Sequence, residues 1–133
     1  MTAVIDTHVL LWWLSSPASL SSTAGSCFET WENGTGEAWV CGVSLWELED
    51  KRLRGKLALQ FSVESWLPEI AAIPWMRLLE TSPDIWLKAA GLGWEHRDPA
   101  DRIIAATGLV HGVPILTKDR RFHDADSPVT AIW

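Results

Sequence analysis

Residues 3–14 read AVIDTHVLLWWL. The first three residues are apolar and two are β-branched, which suits a strand buried on both faces rather than one with a wet side. A single charge, Asp6, interrupts the run before Thr7 opens a second apolar stretch, THVLLWWLS, with helical character. A carboxylate at the end of a buried strand loses hydration unless something there needs its charge. The segment therefore predicts a strand that runs directly into a helix, with an acid at the junction.

Working outward, the same alternation recurs. SSPASLSS breaks the first helix, and Ser21 or Ser22 is placed to cap a second, TAGSCFETWEN, stopped at Asn33-Gly34. EAWVCG reads as a second strand. In VSLWELEDKRLRGKL, Ser44 is the predicted N-cap, Glu47 stands three residues on, and Gly55 ends the turn. SVESWLPEIAAI predicts a helix interrupted at Pro68. MRLLET is a third strand and SPDIWLKAAGL a helix begun at Ser82-Pro83. In HRDPADRIIAATGLVHG, Asp98 is the predicted N-cap, Pro99 the first helical residue and Gly112 the stop. VPILTKD is a fourth strand, with Pro114 tolerable only at its start, and PVTAIW a fifth. Strands alternating with helices predict a parallel sheet with helices on both faces.

The 133 residues, without repeat or low-complexity tract, predict one domain over 1–133. The net charge of −6 disfavours a protein that holds nucleic acid by bulk charge, but not an enzyme that gathers carboxylates around a cation. Cys27 and Cys41 do not make a disulfide framework, and a reducing cytoplasm is the simpler expectation. No apolar run reaches membrane-spanning length. Ten tryptophans without a tyrosine imply large apolar surfaces to be packed inside or covered by a partner. Trp12, Trp13 and Trp46 are assigned to the core or an interface.

Parallel sheets bind ligands beyond the carboxyl ends of their strands. That rule sorts the acids. Asp6 ends the first strand, Glu47 lies early in the helix after the second, Asp98 and Asp101 open a later helix, and Asp119 follows the fourth strand. Taken alone, Asp98 is a helix cap, Asp101 complements a helix dipole, Glu47 completes a capping box and Asp119 is a turn residue. Taken together, they meet at one sheet edge. Clustered carboxylates repel, and a divalent cation relieves the repulsion. With no Cys/His cluster at metal spacing, Mg²⁺ or Mn²⁺ is expected, and phosphodiester hydrolysis is the matching chemistry. Basic residues flank the acids. Arg97, Arg102, Lys118 and Arg120 are candidate phosphate contacts, with Lys51, Arg52, Arg54, Lys56 and Arg121 nearby in sequence. His8 reads as a helix-start residue with a local hydrogen bond, and His96 as either a loop residue or a substrate contact.

VIDTHVLLWWL, VSLWELE and HRDPADRIIAATGLVHGVPILTKDRRF resemble, in order, the PIN domain, and within it the VapC toxins of type II toxin–antitoxin systems. The resemblance covers nearly the whole chain. It implies a three-layer α/β/α sandwich around a mostly parallel sheet of four to five strands, akin to the FEN-type nucleases. It implies a Mg²⁺- or Mn²⁺-dependent endoribonuclease, a VapB-type antitoxin and a homodimer. The family acids fall on Asp6, Glu47, Asp101 and Asp119, and the family's small hydroxyl residue on Thr117, with Asp98 in support. Glu49 and Asp50 depart from the aliphatic residues usual in that helix. The competing readings are a related nuclease acting on other nucleic acid in RNA processing or DNA repair, and an inactive binding module. A haloacid-dehalogenase-type phosphatase would want an Asp where His8 stands.

Overall fold

The computed structural model describes all residues 1–133. Its five strands are β1 (Ala3–Ile5), β2 (Ala38–Cys41), β3 (Met76–Leu79), β4 (Ile115–Leu116) and β5 (Ala131–Ile132). Its seven α-helices are α1 (Thr7–Ser15), α2 (Ser22–Glu32), α3 (Gly42–Leu53), α4 (Leu67–Ala71), α5 (Pro83–Ala90), α6 (Pro99–His111) and α7 (Arg120–His123). The strands form one sheet in the order β3-β2-β1-β4-β5. Every pairing is parallel, with Ile5 opposite Val40 on one side and Leu116 on the other.

Alternation along the strands builds the two faces. Ala3, Ile5, Ala38, Val40 and Leu116 point into a core closed by Val9 and Leu10 of α1, Phe28 and Trp31 of α2, and Ile70 of α4. Val4, Cys41 and Ile115 point the other way, onto Ile104 and Ala105 of α6 with Trp94 and Phe122. Ile103 and Ala106 of α6 then meet Ile85 and Ala89 of α5. These are the three expected layers.

Helix α6 is the central strut. All of residues 100–108 are buried, because α6 lies between the sheet and α5. Asp98 caps it as expected, its Oδ1 accepting from the Asp101 N–H at 2.9 Å. Gly112 ends it in the left-handed conformation at φ +66°. Gly108 lets it lie on β4, since a Cβ there would stand 2.5 Å from Ile115 Cδ1.

Three local expectations change. Ser44 is not the N-cap of α3. The chain leaves β2 and turns helical at once, so Cys41 is the cap residue and no side chain caps the helix. Ser44 is instead buried inside the first turn, facing α1. The helix expected across Pro68 is a 3-10 turn, Val63–Trp66, followed by α4, with Pro68 in its first turn, where no N–H is needed. Trp46 is 63% exposed rather than core, and Trp86 is 55% exposed. Of the two acids that depart from the family pattern, Glu49 accepts from the Val63 N–H at 3.1 Å and pairs with Arg52. It thereby ties α3 to the 3-10 turn.

Candidate functional site

The chain order reverses between β1 and β4. Beyond the carboxyl ends of the strands lies a cleft of about 400 Å³. Asp6, Glu47, Asp98, Asp101 and Asp119 all line it, with Lys51, Lys56 and Arg121 among its basic residues. This is where open parallel sheets bind ligands. The expected convergence of acids from remote stretches of sequence is therefore present.

Each acid is held by specific partners. Asp6 is 3% exposed. Its Oδ1 accepts from the Thr7 N–H at 2.7 Å, and its Oδ2 from the Thr117 hydroxyl at 2.6 Å. Thr117 is itself fully buried, and its Oγ1 accepts from the Asp119 N–H at 3.0 Å. The Thr7 hydroxyl donates to Glu47 Oε1 at 2.6 Å and lies 2.9 Å from Ser44 Oγ. Thr7 thus ties α1 to α3, and Ser44, which was expected to cap, lies against the Thr7 hydroxyl instead.

On the opposite wall, Asp101 Oδ2 meets His96 Nε2 at 2.5 Å. Burial pushes the Asp101 carboxyl up to about 6; the His96 hydrogen bond opposes the shift, and the negative charges of Asp6 and Asp98 add to it. Burial likewise raises Glu47 against the pull of its Thr7 hydrogen bond. Asp119 goes the other way. Burial pushes it up, but the Arg121 hydrogen bonds and charge outweigh this and leave it below the usual carboxylate range.

Atoms able to ligate a metal gather in a triad of His96, Asp101 and Asp119, all within 4.8 Å of one another. His96 belongs to this group because the loop before α6 folds its ring onto Asp101, leaving the side chain 9% exposed. Asp6 and Glu47 line the same cleft, with their carboxylates engaged by Thr7 and Thr117.

The basic residues divide. Arg102 does not serve as a phosphate contact. It is buried, and its guanidinium donates to the carbonyls of Ala89, Ala90, Leu92, Trp94 and His96. It organises the α5–α6 loop that carries His96 and Asp98. Arg97 is exposed and lines a separate groove with Trp86 and Pro99. Lys118 is exposed, its ammonium 5.6 Å over the Trp12 ring, and Arg120 is exposed. Arg121, not singled out among the expected phosphate contacts, reaches furthest into the acids. It makes a bidentate pair with Asp119 and lies 3.6 Å from Asp101. The Asp-x-Arg spacing of KDRR was its only signal. His8 is held both across the fold and locally. Its Nε2 accepts from the Lys118 N–H at 3.2 Å, and its Nδ1 lies 3.4 Å from Asp6 Oδ2.

Comparison with known proteins bears on the family and the fold. The model of the PIN domain family matches residues 3–128. The chain is 34% identical over 135 residues to Ribonuclease VapC22 of Mycobacterium tuberculosis, an alignment covering 99% of this chain and 98% of that protein. Among solved structures, VapBC2 from Rickettsia felis, bound to a DNA fragment from their promoter, superposes with a TM-score of 0.67 at 12% identity, covering 99% and 98% of the two chains. FitAcB from Neisseria gonorrhoeae gives 0.65 at 20% identity, covering 100% and 97%. A toxin–antitoxin complex from Klebsiella pneumoniae gives 0.64 at 19% identity, covering 98% and 96%. At these identities the structures speak for the fold, while the match over residues 3–128 and the 34% identical relative decide the family: this chain belongs to the PIN domain family.

Proposed function

We propose that this chain is a Mg²⁺- or Mn²⁺-dependent endoribonuclease, the toxin of a VapBC-type toxin–antitoxin pair, working in the cytoplasm. The observation that carries the reading is the shared cleft: acids at positions 6, 47, 101 and 119, brought from four separate elements, line it at the switch point of the sheet. The 34% identical relative is a ribonuclease, and the fold neighbours include toxin–antitoxin complexes.

The donor set fits the cation. It is rich in carboxylate oxygen, with one imidazole, which suits Mg²⁺ or Mn²⁺ better than a thiolate-loving metal. Asp6, Glu47, Asp101 and Asp119 are the proposed ligands, with His96 and Thr117 orienting Asp101 and Asp6. A divalent cation bound there supplies neutralisation of phosphate charge and activation of the attacking water. The remaining work falls to the protein. Thr117 and the Thr7 N–H keep Asp6 pointed into the cleft. Lys51 and Lys56, which line it, and Lys118 at its rim position the ribose-phosphate backbone. The roles of Asp98 and Arg102 are structural, one capping α6 and the other holding its loop.

A VapB-type antitoxin is the proposed partner. A groove of about 620 Å³ runs past Leu14 at the end of α1, exposed Phe61, Trp66 and Glu69 of α4. Its largely apolar lining, with Glu69 as its one acid, suits the apolar face of an amphipathic segment. Exposed Trp46 and Trp86 support self-association as a homodimer. The deciding experiment is cleavage of defined RNAs by the purified protein with Mg²⁺, with Mn²⁺ and with EDTA. Cleavage that survives EDTA, or that is absent under all three conditions, overturns the reading.

A further inference from the structure

Arg121 is in the second position of the four-residue helix α7. Its guanidinium reaches back across the mouth of the acidic cleft. Nε and Nη2 donate to the two oxygens of Asp119, at 3.1 and 2.7 Å. The Arg121 backbone N–H donates to Asp119 Oδ1 as well, at 3.0 Å. The same Nη2 lies 3.6 Å from Asp101 Oδ2, and Nη1 lies 3.3 Å from His96 Nδ1. One planar cation therefore touches every member of the triad formed by His96, Asp101 and Asp119.

Two further facts bear on what this arrangement does. The Arg121 side chain is 54% exposed, so what holds it over the cleft is charge and its donor fork rather than apolar packing. Its neighbour Arg120 has the same charge and is exposed, yet makes none of these contacts. The position of the fork is thus particular to Arg121 and not a property of a basic segment.

We infer that Arg121 is an internal counter-cation: a positioning residue that bridges Asp101 and Asp119 and must yield at both before a divalent cation can be held by the two acids. The inference rests on the proposed metal-dependent reading of the cleft. It has two consequences of opposite sign. Without Arg121, the carboxylates face each other uncompensated, so the ion-free protein is less stable. Without Arg121, a full positive charge within 4 Å of the ligand oxygens also disappears, so a divalent cation binds more tightly. A residue that merely packed would produce the first effect and not the second.

The test uses the full chain as parent, R121Q, R121K and R120Q. Mn²⁺ affinity is measured by calorimetry, and thermal melts are recorded with and without Mn²⁺. R121Q should bind Mn²⁺ about tenfold more tightly than the parent, ~1.4 kcal/mol. R121K, which keeps the charge but loses the bidentate fork, should fall between them. R120Q should stay within about twofold of the parent, since an exposed charge is screened by salt. Ion-free R121Q should melt below the parent, and saturating Mn²⁺ should close that gap. If R121Q does not fold, R121K against the parent carries the comparison, and equal affinities there overturn the inference. An R121Q affinity equal to the parent's, or an R120Q gain as large as that of R121Q, overturns it while leaving the metal site standing. If neither the parent nor any variant binds Mn²⁺, the metal-dependent reading itself fails, and this inference fails with it.

Discussion

The Thr117 hydroxyl donates to Asp6 Oδ2 at 2.6 Å, joining residues 111 positions apart in the chain. Thr117 Oγ1 in turn accepts from the Asp119 N–H. A single buried side chain thus sets the spacing of two acids from opposite halves of the sequence. Thr117→Val keeps the shape and removes both bonds. It should cost about 1–3 kcal/mol of stability, because the Asp6 carboxylate is left buried with one donor fewer, and it should also lower cleavage. Thr117→Ser should restore most of both. Denaturant titration beside a cleavage assay gives the answer, and a fully active, fully stable Thr117→Val would show that Asp6 does not depend on this donor.

Asp6→Asn should reduce cleavage by at least ~100-fold, more than the loss of a partner behind a ligand usually costs. The amide keeps the size of the buried group and can still accept from the Thr7 N–H, so the fold should survive. Near-ultraviolet circular dichroism should match the parent. A folded variant that cleaves at the parent rate would remove Asp6 from the site.

The raised Asp101 carboxyl makes a pH prediction with a definite sign. Its folded value, about 6, lies above the ordinary 3.8, so the folded chain binds the proton more tightly than the unfolded one. The stability from this group is full below 3.8 and is lost as pH rises through about 6. Cation binding needs the ionised form and runs the other way. Mn²⁺ affinity should therefore climb as pH rises to about 6 and then level off for this group. Calorimetry between pH 5 and 8 would show it, and Asp101→Asn should remove that limb. An affinity flat across that range would exclude Asp101 as a ligand.

Arg102 should matter for folding rather than chemistry. Arg102→Met leaves five carbonyls short of a donor and should cost ~3 kcal/mol or more. Arg102→Lys should rescue little, since three rotating donors on one nitrogen cannot span carbonyls from Ala89 to His96. Urea melts of the two variants test this. If either variant keeps full stability while losing only affinity for RNA, the substrate-contact reading of Arg102 returns.

These cases mark what could be read in advance. The AVI run and Asp6 were legible because a buried parallel strand has a local signature and its end has a defined address in the fold. Helix α6 was legible because Asp98, Pro99 and Gly112 punctuate it. Ser44 misled because the Ser-x-x-Glu pattern is the same whether it starts a helix or sits one turn inside it. Only the direct passage from β2 to α3 decides between the two. Arg102, His96 and Arg121 were opaque for a different reason. Their roles depend on how the 91–98 loop and α7 fold back, and neither path is written in a periodicity. Trp46 shows the limit of composition, since an apolar residue type does not say which side of its helix is covered.

The insertion of β4 beside β1 has a consequence for when the cleft is assembled. A chain still on the ribosome that has displayed everything up to α5 holds Asp6 and Glu47, but neither Asp101 nor Asp119. Its sheet ends at β1, whose outer edge has no partner, and the Asp6 carboxylate has no Thr117 to hold it. The cleft is finished only when the last strands arrive. Under the proposed function, a nascent chain that stops short of α6 lacks two of the four acids and cannot assemble the cleft.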